Sequence, residues 1–346
     1  MTSHADFIAG NTRLRARLPT LLSPVEFDQL ARLSREAAAE RLSASVYRLY
    51  LGRDQAEDRP ILDAVGRRLR DLLRAVRGLY VGPAGTVVGV LLARHDLQDV
   101  LALLRGARTG QSASSRLAAV VGVGTVDQQP TADLIAAPDG ATAVLRLVAH
   151  RLPDPLTARA LPKTWDRYEL NADPDAFETA VAATAIGGWI ARLAQVGPSA
   201  RPVLELIQAE CDRANLLAVL RDPAMPPPQL LPGGLLTEPS LLAARRGDPT
   251  PVLAARPSWR SALEQQSRDG DLPALEWELA VALWRRAVRG LRRGDPLGAD
   301  VPVGYVLAAE CEARNVRLLL AGSAPAYDVK DLLVGGDGPR QGGTKR

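Results

Sequence analysis

"ECDRANLLAVL" (Glu210–Leu220) and "ECEARNVRLLL" (Glu310–Leu320) hold the only two cysteines of the chain. In both, a Glu precedes the Cys and an Asn follows four residues later. A third version stands upstream, "LLARHDLQDVLALLR" (Leu91–Arg105), with Arg94 and Asp99 at the Glu and Asn places and His95 where the others have Cys. Positions four apart share a face of an α-helix. The three copies then give the stripes Leu91/His95/Asp99/Leu103, Ile207/Cys211/Asn215/Val219 and Leu307/Cys311/Asn315/Leu319. Each has apolar ends around two small or polar residues, and a second apolar pair runs beside it: Val100/Leu104, Leu216/Leu220 and Val316/Leu320. The pattern predicts a largely buried helix in each copy, with Asp99, Asn215 or Asn315 held in the packed face. An unpartnered buried amide or carboxylate costs about 1–3 kcal/mol. Each of these residues should therefore cap a neighbouring helix end or pair with a partner side chain, which is a structural role and not a catalytic one.

The sharper readings of Cys211 and Cys311 do not fit. A zinc site needs about four ligands, with close pairs such as C-x2-C. Each Cys is solitary, and His4, His95 and His150 stand at no ligand spacing. A thiol nucleophile needs a histidine base, and only those three exist. A small buried apolar residue is the better description of both cysteines. Phosphate loops fail as well. "GPAGTVVG" (Gly82–Gly89) lacks the Lys of a P-loop, and "VVGVGTV" (Val120–Val126) lacks the third glycine of a dinucleotide fingerprint. No catalytic residue, metal ligand or cofactor is expected.

The repeat extends beyond these helices. "RAVRGL" occurs verbatim at Arg74–Leu79 and at Arg286–Leu291, each time shortly before one of them. "LIAAPDGATAVL" (Leu134–Leu145) is echoed by "LAARRGDPTPVL" (Leu242–Leu253), and the pairs Gly124/Val126 and Gly234/Leu236 precede them. Apolar residues make up 47% of the chain but aromatics only 4%, so the core must be built from Ala, Leu and Val, which suits packed helices. "SPVEFDQLARLSREAAAERLSASVYRLYL" (Ser23–Leu51) opens on Ser23, Pro24 and Glu26, the signature of a capping box with proline at the first helical position. Further helices are expected near 61–80, 86–109, 140–150, 172–195, 200–221, 239–246, 272–293 and 301–321. Breaks are expected at Leu152–Pro162, Arg221–Gly234 and Arg292–Pro302, and disorder from Gly335 onward.

The net charge is +4, and nearly all basic residues are Arg, interleaved with Asp and Glu. Without stacking aromatics in the Arg-rich stretches, solvated helix faces explain them better than nucleic-acid binding does. No signal peptide opens the chain, and the longest uncharged run, Gly78–Ala93, falls short of the ~20 residues that span a bilayer.

In order and spacing these elements resemble the C subunit of the prokaryotic V-type (A-type) ATPases, the homologue of the eukaryotic d subunit. The residues that carry the resemblance are Glu210/Asn215/Leu216/Leu220, Glu310/Asn315/Val316/Leu320, the variant copy with Arg94 and Asp99, "DPLG" at Asp295–Gly298, and the opening "RLRARLPTLLSPVEFDQL". It covers residues 5–322. It implies an all-α protein of three pseudo-repeated helical bundles arranged as a funnel-shaped socket: 1–120, 121–225 and 226–334, with a tail at 335–346. It also implies a non-catalytic subunit peripheral to the cytoplasmic face of a membrane. There it would link the central-stalk subunits to the membrane proteolipid ring and pass on rotation during ATP-coupled proton or sodium transport. Neither a nucleic acid nor a small-molecule substrate is implied. Asp99, Asn215, Asn315, Arg94, Glu210, Glu310, Cys211 and Cys311 are the repeat positions. The competing function is a helical-repeat scaffold for another cytoplasmic protein or, ranked behind it, a nucleic-acid binder using the Arg-rich helices.

Overall fold

A computed structural model describes residues 5–51, 60–124, 128–221 and 229–321, and every regular element in them is helical, with no strand. The order is α1 (Ala5–Arg17), α2 (Pro24–Leu30), α3 (Arg35–Ser43), α4 (Pro60–Arg77), α5 (Gly82–Arg108), α6 (Ala113–Ala118), α7 (Gln128–Ile135) and α8 (Gly140–His150). Then follow α9 (Pro155–Asn171), α10 (Pro174–Val196), α11 (Arg201–Arg221), α12 (Glu238–Arg245), α13 (Thr250–Ala255), α14 (Arg260–Asp269), α15 (Leu272–Arg293) and α16 (Asp300–Ala321). Short 3-10 turns at Leu18–Thr20, Val46–Tyr50, Pro198–Ala200 and Pro257–Trp259 punctuate the series.

Side-chain caps place many of these boundaries. Ser23 and Glu26 form a reciprocal capping box at α2: the Glu26 N–H donates to Ser23 Oγ at 3.3 Å, and the Ser23 N–H donates to Glu26 Oε2 at 2.7 Å. The stretch Ser23–Leu51 is not one helix, because Ser34 accepts from the Ala37 N–H at 3.2 Å and starts α3 afresh. A serine inside a helical pattern competes for backbone donors and favours a new start. The expected break at Leu152–Pro162 is likewise mostly helix. Asp154 accepts from the Leu156 and Thr157 N–H groups at 2.9 and 3.1 Å, and Pro155 takes the first helical position. Pro162 then sits inside α9, where its missing N–H costs one backbone bond without ending the helix. Helices α1, α6, α7, α13 and α14 are also additions to those expected. Residues 222–228 of the proline-rich stretch and the glycine-rich tail from Gly335 lie outside the described residues.

The chain divides into two compact units. One spans Val81–Leu283; the other combines the described parts of 5–80 and 284–321, so α15 contributes residues to both. In the first unit α5 packs on α6, α7, α8 and α10 and touches α11, while α9 and α10 pair along their lengths. Around α11–α15 of that unit, Leu216, Leu241, Val252, Trp259, Leu275 and Leu279 form a continuous apolar core. In the second unit α16 packs on α1, α3 and α4. The elements of that unit come from the two ends of the chain.

Candidate functional site

The three helices that carry the repeated motif are α5, α11 and α16, and all twelve stripe positions are buried. The Asp99 carboxylate, 1% exposed, accepts the Val121 and Gly122 N–H groups at 2.7 Å each. Asn215 Oδ1 accepts the Leu231 N–H at 2.8 Å, and its Nδ2 donates to the Leu231 carbonyl at 2.9 Å. For Asp99 and Asn215 the partners are thus peptide groups of the irregular stretches around Val121–Gly122, beyond α6, and Leu231, rather than a helix end or a side chain. Asn315, fully enclosed, donates to Cys311 Sγ at 3.6 Å.

One turn earlier stands a second set of polar residues that the sequence pattern did not single out: Asp96, Asp212 and Glu312, each at most 3% exposed. Their spacing to Asp99, Asn215 and Asn315 is three residues, so acid and amide share a helix face. Asp212 accepts the Leu235 and Leu236 N–H groups at 3.1 and 2.8 Å and the Arg256 Nε–H at 2.7 Å. Glu312 accepts the Leu22 N–H at 2.7 Å, the Tyr47 hydroxyl at 2.8 Å and the Arg68 Nε–H at 2.7 Å. The two acids grip corresponding places. Leu236 immediately precedes Thr237, the N-cap of α12, and Leu22 immediately precedes Ser23, the N-cap of α2. The arginines that neutralise them are covered in the same manner, Arg256 over the Trp259 ring and Arg68 over the Tyr47 ring.

Two glycines complete the arrangement. A Cβ at Gly124 would lie 2.0 Å from Asp96 Oδ2, and one at Gly234 would lie 2.2 Å from Asp212 Oδ1. Only glycine lets the backbone pass this close to the carboxylates. The signal was present in the sequence: "HDLQD", "CDRAN" and "CEARN" all place an acid three residues before the Asp or Asn, and Gly124 and Gly234 stood out as corresponding positions.

The electrostatics agree with burial of neutralised charge. Burial alone would lower the Arg68 guanidinium, but the Glu312 carboxylate more than offsets this and holds it above the usual arginine value. Burial pushes the Tyr47 hydroxyl well up, with Glu312 adding to the effect. Asp99 is held differently, by backbone donors. Burial pushes its carboxyl up to about 6, against the pull of the two N–H groups that favour the ionised form. Burial also pushes the Cys211 and Cys311 thiols up to about 12, and neither is in a disulfide.

Arg94 and Glu210 form an ion pair between α5 and α11, with side chains 9% and 30% exposed. Glu310 is half-buried on α16, in the other unit. No group of three or more His, Cys, Asp or Glu residues that could hold a metal ion occurs among the described residues. The assembled polar groups therefore do one thing well. Asp99, Asn215, Asp212 and Glu312 fix a segment outside the motif helix to the face of that helix, and for Asp212 and Glu312 a buried arginine compensates the charge.

The fold and these clamps define an all-helical repeat protein whose buried polar residues hold an architecture together. The chain belongs to the ATP synthase (C/AC39) subunit family, which matches residues 10–331. It is similar to the C subunit of the V-type ATP synthase from two strains of Thermus thermophilus. Each relative is 31% identical over 323 residues, which cover 91% of this chain and 93% of the relative. No described helix is long and apolar enough to cross a membrane.

Proposed function

We propose that this chain is a non-catalytic coupling subunit of a V-type ATP synthase, peripheral to the cytoplasmic face of the membrane. It links the central-stalk subunits to the membrane proteolipid ring and transmits rotation between them. The observation that carries this reading is the match to the V-type ATP synthase C subunit over nearly the whole of both chains. The clamps support it, because an element that passes on torque must resist shear at many points. Each motif helix is tied to another segment through buried bonds, and those of α11 and α16 are charge-compensated by arginine. Three pseudo-equivalent bundles forming a funnel-shaped socket are the arrangement that fits this role.

The test is assembly with and without the chain. Complexes made without it should retain ATP hydrolysis in the soluble head and lose ATP-driven ion transport, and adding the chain back should restore transport. Transport at the normal rate without the chain, or failure of the purified chain to bind both stalk subunits and proteolipid ring, would overturn the reading.

A further inference from the structure

The last nine residues of α15, "RRAVRGLRR" (Arg285–Arg293), contain five arginines and no acid, and all five are exposed. Ala287 and Leu291 form the buried seam, pressed so closely on α16 that a Cβ at Gly304 would lie 2.4 Å from Leu291 Cβ. At 100° per residue, Arg285, Arg289, Arg292 and Arg293 fall within an arc of about 100° opposite that seam, over a length of about 12 Å. Arg285, Arg289 and Arg293 follow one another at the four-residue spacing at which like charges repel along a helix. Among the described residues none of these four is ion-paired. Among the described residues no other run of arginines uninterrupted by an acid is as long; the next hold three, as at Arg13, Arg15 and Arg17 of α1.

The second observation is the charge of the unit this face belongs to. The described residues of 5–80 and 284–321 carry nineteen arginines against eleven carboxylates, whereas those of 81–283 carry eighteen basic residues against twenty acidic. Such asymmetry between parts of one chain marks contact with a polyanionic surface.

The composition of the face narrows the kind of partner. Protein interfaces bury aromatic or aliphatic anchors at their centre, and none lies between these arginines. Binding of single-stranded nucleic acid uses aromatic platforms, and these too are missing. A row of exposed cations on a rigid helix, without apolar or aromatic anchors, suits phosphate groups presented side by side at a surface. We propose that Arg285, Arg289, Arg292 and Arg293 form a docking face for anionic phospholipid headgroups. This gives the second unit a direct contact with the membrane surface, additional to any contact with the proteolipid ring. The proposal rests on the peripheral-membrane reading above for its setting, and it concerns lipid alone.

The experiment is sedimentation of the full chain with protein-free vesicles of phosphatidylcholine, or of phosphatidylcholine with about a third phosphatidylglycerol. The expected result is partitioning to the anionic vesicles only, falling steeply as salt rises. Replacing the four arginines by glutamine should lower partitioning at least about 100-fold, while replacing them by lysine should keep it within a few-fold, since the field near a membrane reads charge. Thermal melts of both variants check that they fold. Equal binding to neutral and anionic vesicles overturns the proposal, as does unchanged binding by the folded glutamine variant. Retention on double-stranded DNA or on polyglutamate without retention on anionic vesicles would assign the face to a different class of partner and also overturn it. Because the vesicles contain no proteolipid, a negative result leaves assembly with the ring untouched, and the assembly test above judges that separately.

Discussion

Arg94 of α5 and Glu210 of α11 occupy the same place in two copies of one motif, and they are bonded to each other. The first copy departs from the Glu of the other two by carrying the opposite charge, and that departure makes the pair. Two glutamates there would repel; Arg and Glu join the two helices. Truncating Glu210 to Ala should cost about 1–3 kcal/mol by leaving a largely buried guanidinium with one acceptor fewer. The double change Arg94→Leu with Glu210→Leu should be milder than the sum of the single changes. Urea melts of the four proteins give the coupling, and simple additivity within about 0.3 kcal/mol would refute it.

Removing either fully enclosed acid should be among the most damaging single changes in the chain. Asp212→Ala leaves Arg256 and two N–H groups without their acceptor, and Glu312→Ala does the same to Arg68, Tyr47 and the Leu22 N–H. The expected loss is about 3–5 kcal/mol in each case. Loss below about 1 kcal/mol in a chemical melt would show that the clamps contribute little.

Gly124→Ala and Gly234→Ala should each destabilise by more than about 2 kcal/mol, since the added methyl would collide with a buried carboxylate. Gly89→Ala is the control. It lies inside α5 with nothing within 4 Å of the new carbon, and it should stabilise by about 0.5–1 kcal/mol. Melting temperatures that moved the same way in all three variants would contradict this account.

Asp99 should make stability depend on pH in the sense opposite to an ion-paired acid. Its carboxyl is raised from 3.8 to about 6 in the folded chain, chiefly by burial. Between about pH 4 and 6 the folded state therefore holds a proton that the unfolded chain has released. Stability falls as pH rises through that window and levels off above it, by up to about 3 kcal/mol. Asp99→Asn should remove this slope, while giving up one of the two backbone acceptors. Denaturant melts from about pH 4.5 to 7.5 compare the two proteins, and equal slopes would rule the assignment out.

Asn315→Leu should lower stability by about 1–3 kcal/mol, because a wholly buried amide in a packed face is replaced by a branched apolar group of different shape. An unchanged melting temperature together with normal assembly would mean that the amide has no role in the packing of α16.

Much of this was legible in the sequence, for identifiable reasons. The motif helices show because their apolar residues recur at helical spacing, and the capping box at Ser23 shows because its residues are local. Helix α9 was hidden by Pro155 and Pro162, which read as breakers although one starts the helix and the other is tolerated inside it. Asp96, Asp212 and Glu312 were hidden by their chemistry, since an acid beside arginines in an amphipathic pattern reads as a solvated face. Only the surrounding fold reveals that each is buried, and the partners of Asp212 and Glu312 lie between 23 and 290 positions away. No local pattern carries such pairings.

Those separations set an order of events during synthesis. The bonds of Asp99 and Asp212 span 22 to 44 residues, so they can close soon after each motif helix leaves the ribosome. The bonds of Glu312 span 244 to 290 residues, to Arg68, Tyr47 and Leu22. Helices α1–α4 are made long before α16 and lack their central partner until it emerges. For most of translation Arg68 and the Leu22 N–H await an acceptor, and the apolar sides of α3 and α4 await cover. The unit made from the two chain ends is therefore the last to form. A chain cut short before α16 would present those helices to chaperones and proteases, although 81–283 had already been made.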